Sequence, residues 1–519
     1  MKLKNILPVI LIGMLLSGCK KTWLDINTNP NSLPTSTPDF VFTAASNRIN
    51  GYLDPNETGS YWSGQWTQSS TYIISTTIFA YQFNNTNFNY WDTYYDILND
   101  FQFVIDNADA KGQPYFKGPA RVMKAFIFQQ LVDQYGNVPY SAALKGVGSL
   151  APKFDDQKAI YEDLVKLLDS AIVDTKANVF AAAGKSADIM FKGSNTNWVK
   201  FANSLKLRIL IRQSRIAGRD GYITAEINKA AAVAEGFLGV GQDVTSTPGY
   251  VSSAGKLNPF YERWGYNSSG GAQALARYPR PTKFLFDFMK STNDTFRLKR
   301  LAYAAGGESG TPGVSTKPEI VANYVGVPFG AASGYLSQNT SYPGPSVIVK
   351  NEFARPMIVM TAAEVYFLLA EAKQRYGAAV TLPANGTDGT AKGYYEQGVK
   401  EAFRLDFTQT TLGGTALTAA NTLLASGIDL ADWTASPDKL KAIWMQKWLA
   451  LVNFGGLEAW SEYRRTNFPV TPESASAQAG SKPPARLFYP STELGSNGEN
   501  VKAQGTIDVF TSKLFWDVD

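Results

Sequence analysis

Apolar side chains recur at three-and-four spacing along much of this chain, the period of an amphipathic helix. Trp91, Tyr94, Tyr95, Leu98, Phe101 and Ile105 form one stripe and predict a helix over 89–108. Val122, Met123, Phe126, Ile127, Gln130 and Leu131 predict another over 119–135. It opens at Gly118-Pro119, where the missing N–H costs nothing, and Gly136 stops it. A second pair reads at 157–175, with Ile160, Leu164, Leu167, Leu168 and Ile172, and at 196–217, with Trp198, Phe201, Leu205, Ile209 and Arg212. Asp220 to Glu235 adds a further helix, and helices return at 361–377, 391–407 and 436–463. Thr361 and Glu364 have capping-box spacing ahead of the stripe Val365, Leu368, Leu369 and Ala372. Asp39 is placed to cap a first helix from Phe40 to Ile49. The pattern predicts a mainly α protein made of helix pairs. Such pairs fit tetratricopeptide-like packing, which usually presents a partner-binding surface, and equally a generic helical domain.

Residues 238–355 break the rhythm. Helical period is lost there except near Thr282 to Met289, and Gly, Ser, Pro and Tyr dominate. So long a structureless insertion is uncommon in a compact domain, so short strands, turns and ligand-binding loops are expected. The tail after Phe468 is rich in Pro, Gly and Ser and closes with Leu514-Phe515-Trp516-Asp517.

The N-terminus has a different grammar. Lys2 and Lys4 precede an apolar run from Ile6 to Leu16, and Ser17-Gly18 lead into Cys19, the only cysteine. This is signal-peptide patterning, and the run is shorter than the about 20 apolar residues a bilayer span needs. Leu16-Ser17-Gly18-Cys19 resembles a bacterial lipobox, in which cleavage precedes a cysteine that then carries lipid. The expected organisation is a lipoprotein signal peptide over 1–18, a lipidated tether over 19–39 and helix pairs over 40–237. A loop-rich ligand-binding region follows over 238–355, then helix pairs and tail over 356–519. Asn29-Pro30-Asn31, Pro34 and Pro38 discourage helix in the tether.

Composition narrows the chemistry. Removing 1–18 leaves 501 residues and takes away two lysines and no acid, so the net charge falls from +5 to +3. That balance argues against a nucleic-acid surface. There is no histidine, which excludes Ser-His-Asp triads and His-ligated zinc. With Cys19 lipidated, no thiol remains for a disulfide. Catalysis by carboxylates alone survives, as in glycosidases.

Aromatic residues make up 13% of the chain against 18% charged. Tyr61, Trp62, Trp66 and Tyr72 lie among Gly, Ser, Thr and Gln; Trp264, Tyr266 and Tyr278 lie near Asn267 and Arg280. Flat rings stack on the apolar faces of sugars while amides and guanidiniums bond hydroxyls, so these are candidate ligand contacts. The alternative is that Trp62 and Trp66 are core residues one turn apart on a short helix. Tyr324, Tyr335 and Tyr342 are weaker candidates.

Several segments together resemble the SusD/RagB family of Bacteroidetes outer-membrane nutrient-binding lipoproteins, most of all its starch-binding, outer-membrane-associating branch. They are Trp23-Leu24-Asp25-Ile26-Asn27-Thr28-Asn29-Pro30-Asn31, Asp133-Gln134-Tyr135-Gly136-Asn137-Val138-Pro139-Tyr140 and Ala363 to Ala372. Gln446 to Leu451, running on to Gly456 through Thr466, and the closing Phe515-Trp516-Asp517 complete the set. Where the family usually has Asn-Asp-Pro-Arg, this chain has Asn293-Asp294-Thr295-Phe296-Arg297. The resemblance implies a SusD-like fold with four tetratricopeptide-like helix pairs. It also implies capture of oligosaccharides or peptides at the cell exterior, and a SusC-like TonB-dependent outer-membrane barrel over which the lipoprotein sits as a lid. It implies neither catalysis nor a cofactor.

The enzyme alternative is a surface glycoside hydrolase with paired carboxylates. Glu458 and Glu462 are spaced i, i+4, but two acids on one helix face point the same way and do not flank a sugar. Asp25, Asn27 and Asn29 begin like a calcium loop, yet Pro30 and Ser36 stand where that loop needs Gly and Glu. Trp448 and Trp460 read as core.

Overall fold

The computed structural model describes residues 36–49, 53–306, 317–405 and 414–518. Cys19, the signal segment, the segment Trp23–Asn31 and most of the expected tether lie outside these residues. The protein is mainly α. Its first half carries α1 (Pro38–Arg48), α2 (Leu53–Trp62), α3 (Trp91–Asn107), α4 (Lys117–Tyr135), α5 (Gln157–Ala177), α6 (Asn195–Arg212) and α7 (Asp220–Ala231). Helix α3 packs on α4, α4 on α5 and α5 on α6, so each apolar stripe is buried against the next helix. Asp156 caps α5 by accepting the Ala159 N–H, and Gly136 ends α4 with a φ of 75°.

Residues 238–355 contain α8 (Pro259–Trp264), α9 (Lys283–Ser291) and α10 (Thr295–Leu301) among short strands. Two of these helices, α8 and α10, lie where helical period was not visible. Both are short and begin at side-chain caps, Asn258 and Asp294. The unusual Asn293–Arg297 stretch is that second cap. Asn293 has a φ of 53°, and Asp294 accepts the Arg297 backbone N–H and pairs with its guanidinium, which also reaches Gln446 at 2.8 Å.

All described sheets are two-stranded. Strand β1 (Trp66–Gln68) pairs antiparallel with the strand Pro279–Pro281, setting Trp66 against Pro281. Strand β2 (Val244–Ser246) pairs with β3 (Met357–Met360), which leads directly into α11 (Ala362–Tyr376). Then follow α12 (Ala391–Leu405), α13 (Gly414–Leu424), α14 (Lys439–Ala450) and α15 (Gly456–Thr466). Helix α11 packs on α12, α14 and α6, joining the two halves, and α15 packs on α2.

Two expected boundaries and one capping box are corrected. The single helix expected over 436–463 is two, α14 and α15, because Asn453 adopts a φ of 70°. There its carboxamide accepts the Trp66 indole N–H and donates to the Leu301 carbonyl. Helix α1 begins at Pro38, with Asp39 in its first turn rather than at the cap. Thr361 does cap α11 by accepting the Glu364 N–H, but Glu364 does not return the bond: its carboxylate pairs with Arg208 at 2.6 and 2.8 Å.

Trp448 and Trp460 are buried. Between α6, α11, α14 and α15 lies a buried ionic cluster. Arg212 meets Glu458 and Glu462, Arg465 spans Glu371 and Glu462, and Lys447 reaches Glu458 at 3.1 Å. Glu458 and Glu462 therefore face guanidiniums and an ammonium inside the helical body.

Candidate functional site

A cleft of about 460 Å³ opens where the first helices, the loop-rich segment and the last helices meet. Its aromatic wall is Trp66, Phe260 and Trp264, and its apolar side includes Val347, Met357 and Phe454. Its polar groups come from distant parts of the chain: Asn56 and Glu57 on α2, Asp243 before β2, Arg404 on α12 and Asn453 in the left-handed turn. The volume lies within the ~300–1,000 Å³ common for small-ligand sites.

Local sequence positions the wall. Asn258 caps α8 with Pro259 in the first turn, and six residues later Trp264 closes the helix against the cleft. Gly64, at a φ of 74°, turns the chain out of α2, so Trp66 begins β1 instead of continuing the helix. Trp66 meets Trp264 edge-on, with centroids 6.5 Å apart and planes at 87°. Trp264 stacks on Tyr278 at 6.3 Å and 21°, and Tyr278 lies 5.4 Å from Tyr72. Trp66 and Trp264, both buried at 2% exposure, thus join the half-buried Tyr278 and Tyr72 in one run of rings, of which only the two tryptophans line the cleft. Burial and the nearby Glu57 push the Tyr278 hydroxyl up to about 12, so it stays a neutral donor near neutral pH.

The other sequence candidates fall elsewhere. Trp62 is wholly buried, packed on Trp460 at 5.0 Å, with its N–H given to the Ile78 carbonyl. It does not line the cleft. Tyr61 is also buried, its hydroxyl donating to Glu57 at 3.2 Å. Tyr266 is buried against Tyr261, with the Lys350 ammonium 5.7 Å from its ring. Tyr324 and Tyr342 are buried, while Tyr335 is half-buried and accepts the Ser70 N–H at its carbonyl. Sequence reasoning missed Glu57, Asp243, Arg404 and Asn453, which carry no shared local motif.

The ionic groups of the cleft are matched in pairs. Asp243 pairs with Arg404, Glu352 with Arg355 and Glu57 with Arg263. Burial alone would push the Arg404 guanidinium down; Asp243 and Glu401 outweigh it and hold the group above its ordinary value. Two further polar atoms of lining residues, Trp264 Nε1 and Ser346 Oγ, are buried with no hydrogen-bond partner. Aromatic faces beside neutralised charge suit an uncharged polyhydroxylated ligand.

Residues 30–490 match the SusD-like family described as starch-binding, associating with outer membrane, and the chain belongs to that family. No helix among the described residues is long and apolar enough to cross a membrane. A comparison with curated protein sequences finds no match. Among solved structures, the fold resembles a chitin-binding SusD homolog from Flavobacterium johnsoniae at 23% identity and a TM-score of 0.72, covering 93% of this chain and 99% of that one. It resembles a SusD homolog from Bacteroides fragilis at 19% identity and a TM-score of 0.73, covering 93% and 100%. A SusD homolog from Bacteroides uniformis matches at 24% identity and a TM-score of 0.71, covering 92% and 100%. The likeness establishes a SusD-like fold.

Proposed function

We propose that this protein is a cell-surface lipoprotein that captures oligosaccharides in the aromatic cleft and delivers them to a TonB-dependent outer-membrane barrel, acting as its lid. The run of rings from Trp66 through Trp264 and Tyr278 to Tyr72 carries the proposal. Rings in the wall of a cleft give a sugar apolar surface, and neutral ion pairs beside them offer both donors and acceptors to hydroxyls. The family's description and the chitin-binding relative support glycan as the ligand class. Lipid on Cys19 would hold the protein at the membrane, and the tether would let the helical body swing over the barrel.

Binding rather than hydrolysis is favoured by where the carboxylates lie. Glu458 and Glu462 are enclosed by Arg212, Lys447 and Arg465. In the cleft, Asp243, Glu352 and Glu57 each pair with an arginine. Glycan-array binding of the purified protein, with peptide pools as a second arm, tests the ligand class. Co-purification of the full chain from outer membranes tests the barrel. Peptide binding without glycan binding would overturn the ligand assignment.

A further inference from the structure

The Glu57–Arg263 ion pair stands between two cavities. Beside the cleft lies a side pocket of about 370 Å³ lined by Thr58, Phe88, Asn89, Tyr90, Thr93 and Arg263, among others. Glu57 lines both. Its Oε2 lies 3.0 Å from an Arg263 nitrogen, and its Oε1 accepts the Tyr61 hydroxyl. The Arg263 guanidinium carbon is 4.8 Å from the centroid of the Trp264 ring, so a side-pocket residue lies over a ring of the cleft wall.

The two partners differ in freedom. The Glu57 side chain is 11% exposed and sits on α2, while that of Arg263 is 35% exposed in the last turn of α8. A partly exposed pair contributes modestly, and Arg263 is its more solvated partner. The side pocket carries the same chemistry as the cleft: rings from Phe88 and Tyr90, an amide from Asn89, and hydroxyls from Thr58 and Thr93.

We infer that the side pocket is a second subsite for the same glycan, and that Arg263 divides it from the cleft. An oligosaccharide long enough to reach both displaces Arg263 from Trp264 and Glu57. The Trp264 ring then loses its guanidinium neighbour to the ligand, and hydroxyls take the place of Arg263 at Glu57 Oε2. Arg263 is therefore a determinant of preferred chain length. This inference rests on the oligosaccharide reading of the cleft.

Calorimetric titration with malto- and chito-oligosaccharides of two to seven units tests it on the wild-type protein, R263A and T93W. For R263A, the gain in affinity should grow with chain length and reach about two- to fivefold for the longest, as expected when a weak ion pair no longer has to open. Thr93 is exposed on α3, so T93W fills the side pocket from outside. In T93W, six- and seven-unit chains should bind no better than three-unit chains. If the wild-type protein binds short chains and neither variant changes the length dependence, the second subsite is wrong while the cleft reading stands. If the wild-type protein binds no oligomer of either series, both fall.

Discussion

Gly59 and Gly456 meet backbone to backbone where α2 crosses α15: a methyl group on Gly59 would lie 2.4 Å from the Gly456 carbonyl oxygen. The reverse is tighter still, with a Cβ on Gly456 falling 2.0 Å from the Asn56 carbonyl oxygen. The obstacles are backbone, so neither can yield by a side-chain rotation. Asn56, Ser60 and Gly456 also line the cleft, which makes this crossing the floor of the site. Replacing either glycine by alanine should cost about 1–3 kcal/mol of stability through overpacking and weaken ligand binding together with it. Denaturant unfolding and titration of the same variants check both; a stable variant with intact binding would contradict the crossing.

Trp62 and Trp264 are both buried, but only Trp264 lines the cleft, so they should differ in their effect on binding. Trp62→Ala removes a ring wholly inside the core and should cost about 3–5 kcal/mol. Trp264→Ala removes a ring that is also buried but lines the cleft, so it should cost stability and in addition lower oligosaccharide affinity at least about tenfold. Trp62→Phe keeps most of the packing and should bind normally. Equal affinity losses for Trp62→Phe and Trp264→Ala would contradict the assignment of Trp62 to the core.

The two tryptophans also illustrate what the sequence conceals. Their i, i+4 spacing suggests one helix face, yet Gly64 ends that relationship and sends Trp66 into a strand. The long stripes of α3 to α6 and α11 were legible because each buries a continuous apolar face on its neighbour. The break between α14 and α15 was not, because Asn453 is held in its left-handed turn by Trp66 and Leu301, both far away in sequence. The same holds for the cleft. Its aromatics stood out against Gly- and Ser-rich surroundings, whereas Glu57, Asp243 and Arg404 become neighbours only through the fold.

The buried ionic cluster should make the protein acid-sensitive in a defined window. Burial pushes the Glu371 carboxyl up, but the Arg465 and Arg375 guanidiniums outweigh it and hold the group down at about 2. A carboxyl lowered by folding adds stability that is complete above its unfolded value, ~4.3, and is lost as pH falls toward the folded value. Asp133 and Glu364 act oppositely, since burial outweighs their arginine partners and leaves both raised. The difference between wild type and Glu371→Gln isolates the one group. The stability gap should be widest at neutral pH and close between about pH 4.3 and 2. Parallel melting profiles across that range would contradict the pairing.

Arg465→Met leaves Glu371 and Glu462 buried without their bidentate partner and should cost about 3–5 kcal/mol. Combining it with Glu371→Met should recover part of that loss, because an apolar pair of similar volume leaves less uncompensated charge. Chemical denaturation of the single and double variants gives the coupling directly; additive losses would show that the two side chains do not act as a pair.

Cys19→Ser should move the protein out of the outer-membrane fraction, since without the lipid the chain loses its proposed anchor. Fractionation of cells expressing each form checks this. Protease shaving of intact cells checks the outward face. An unchanged membrane fraction in Cys19→Ser would show that something other than lipid holds the protein there.

Calorimetric titration of starch- and chitin-derived oligosaccharides into the wild-type protein and Trp264→Ala tests the central claim most directly. The account predicts saturable binding of at least one series by the wild-type protein and an affinity at least about tenfold weaker for the folded variant. Binding that is equally tight in both, or binding of neither series by the wild-type protein, would contradict it.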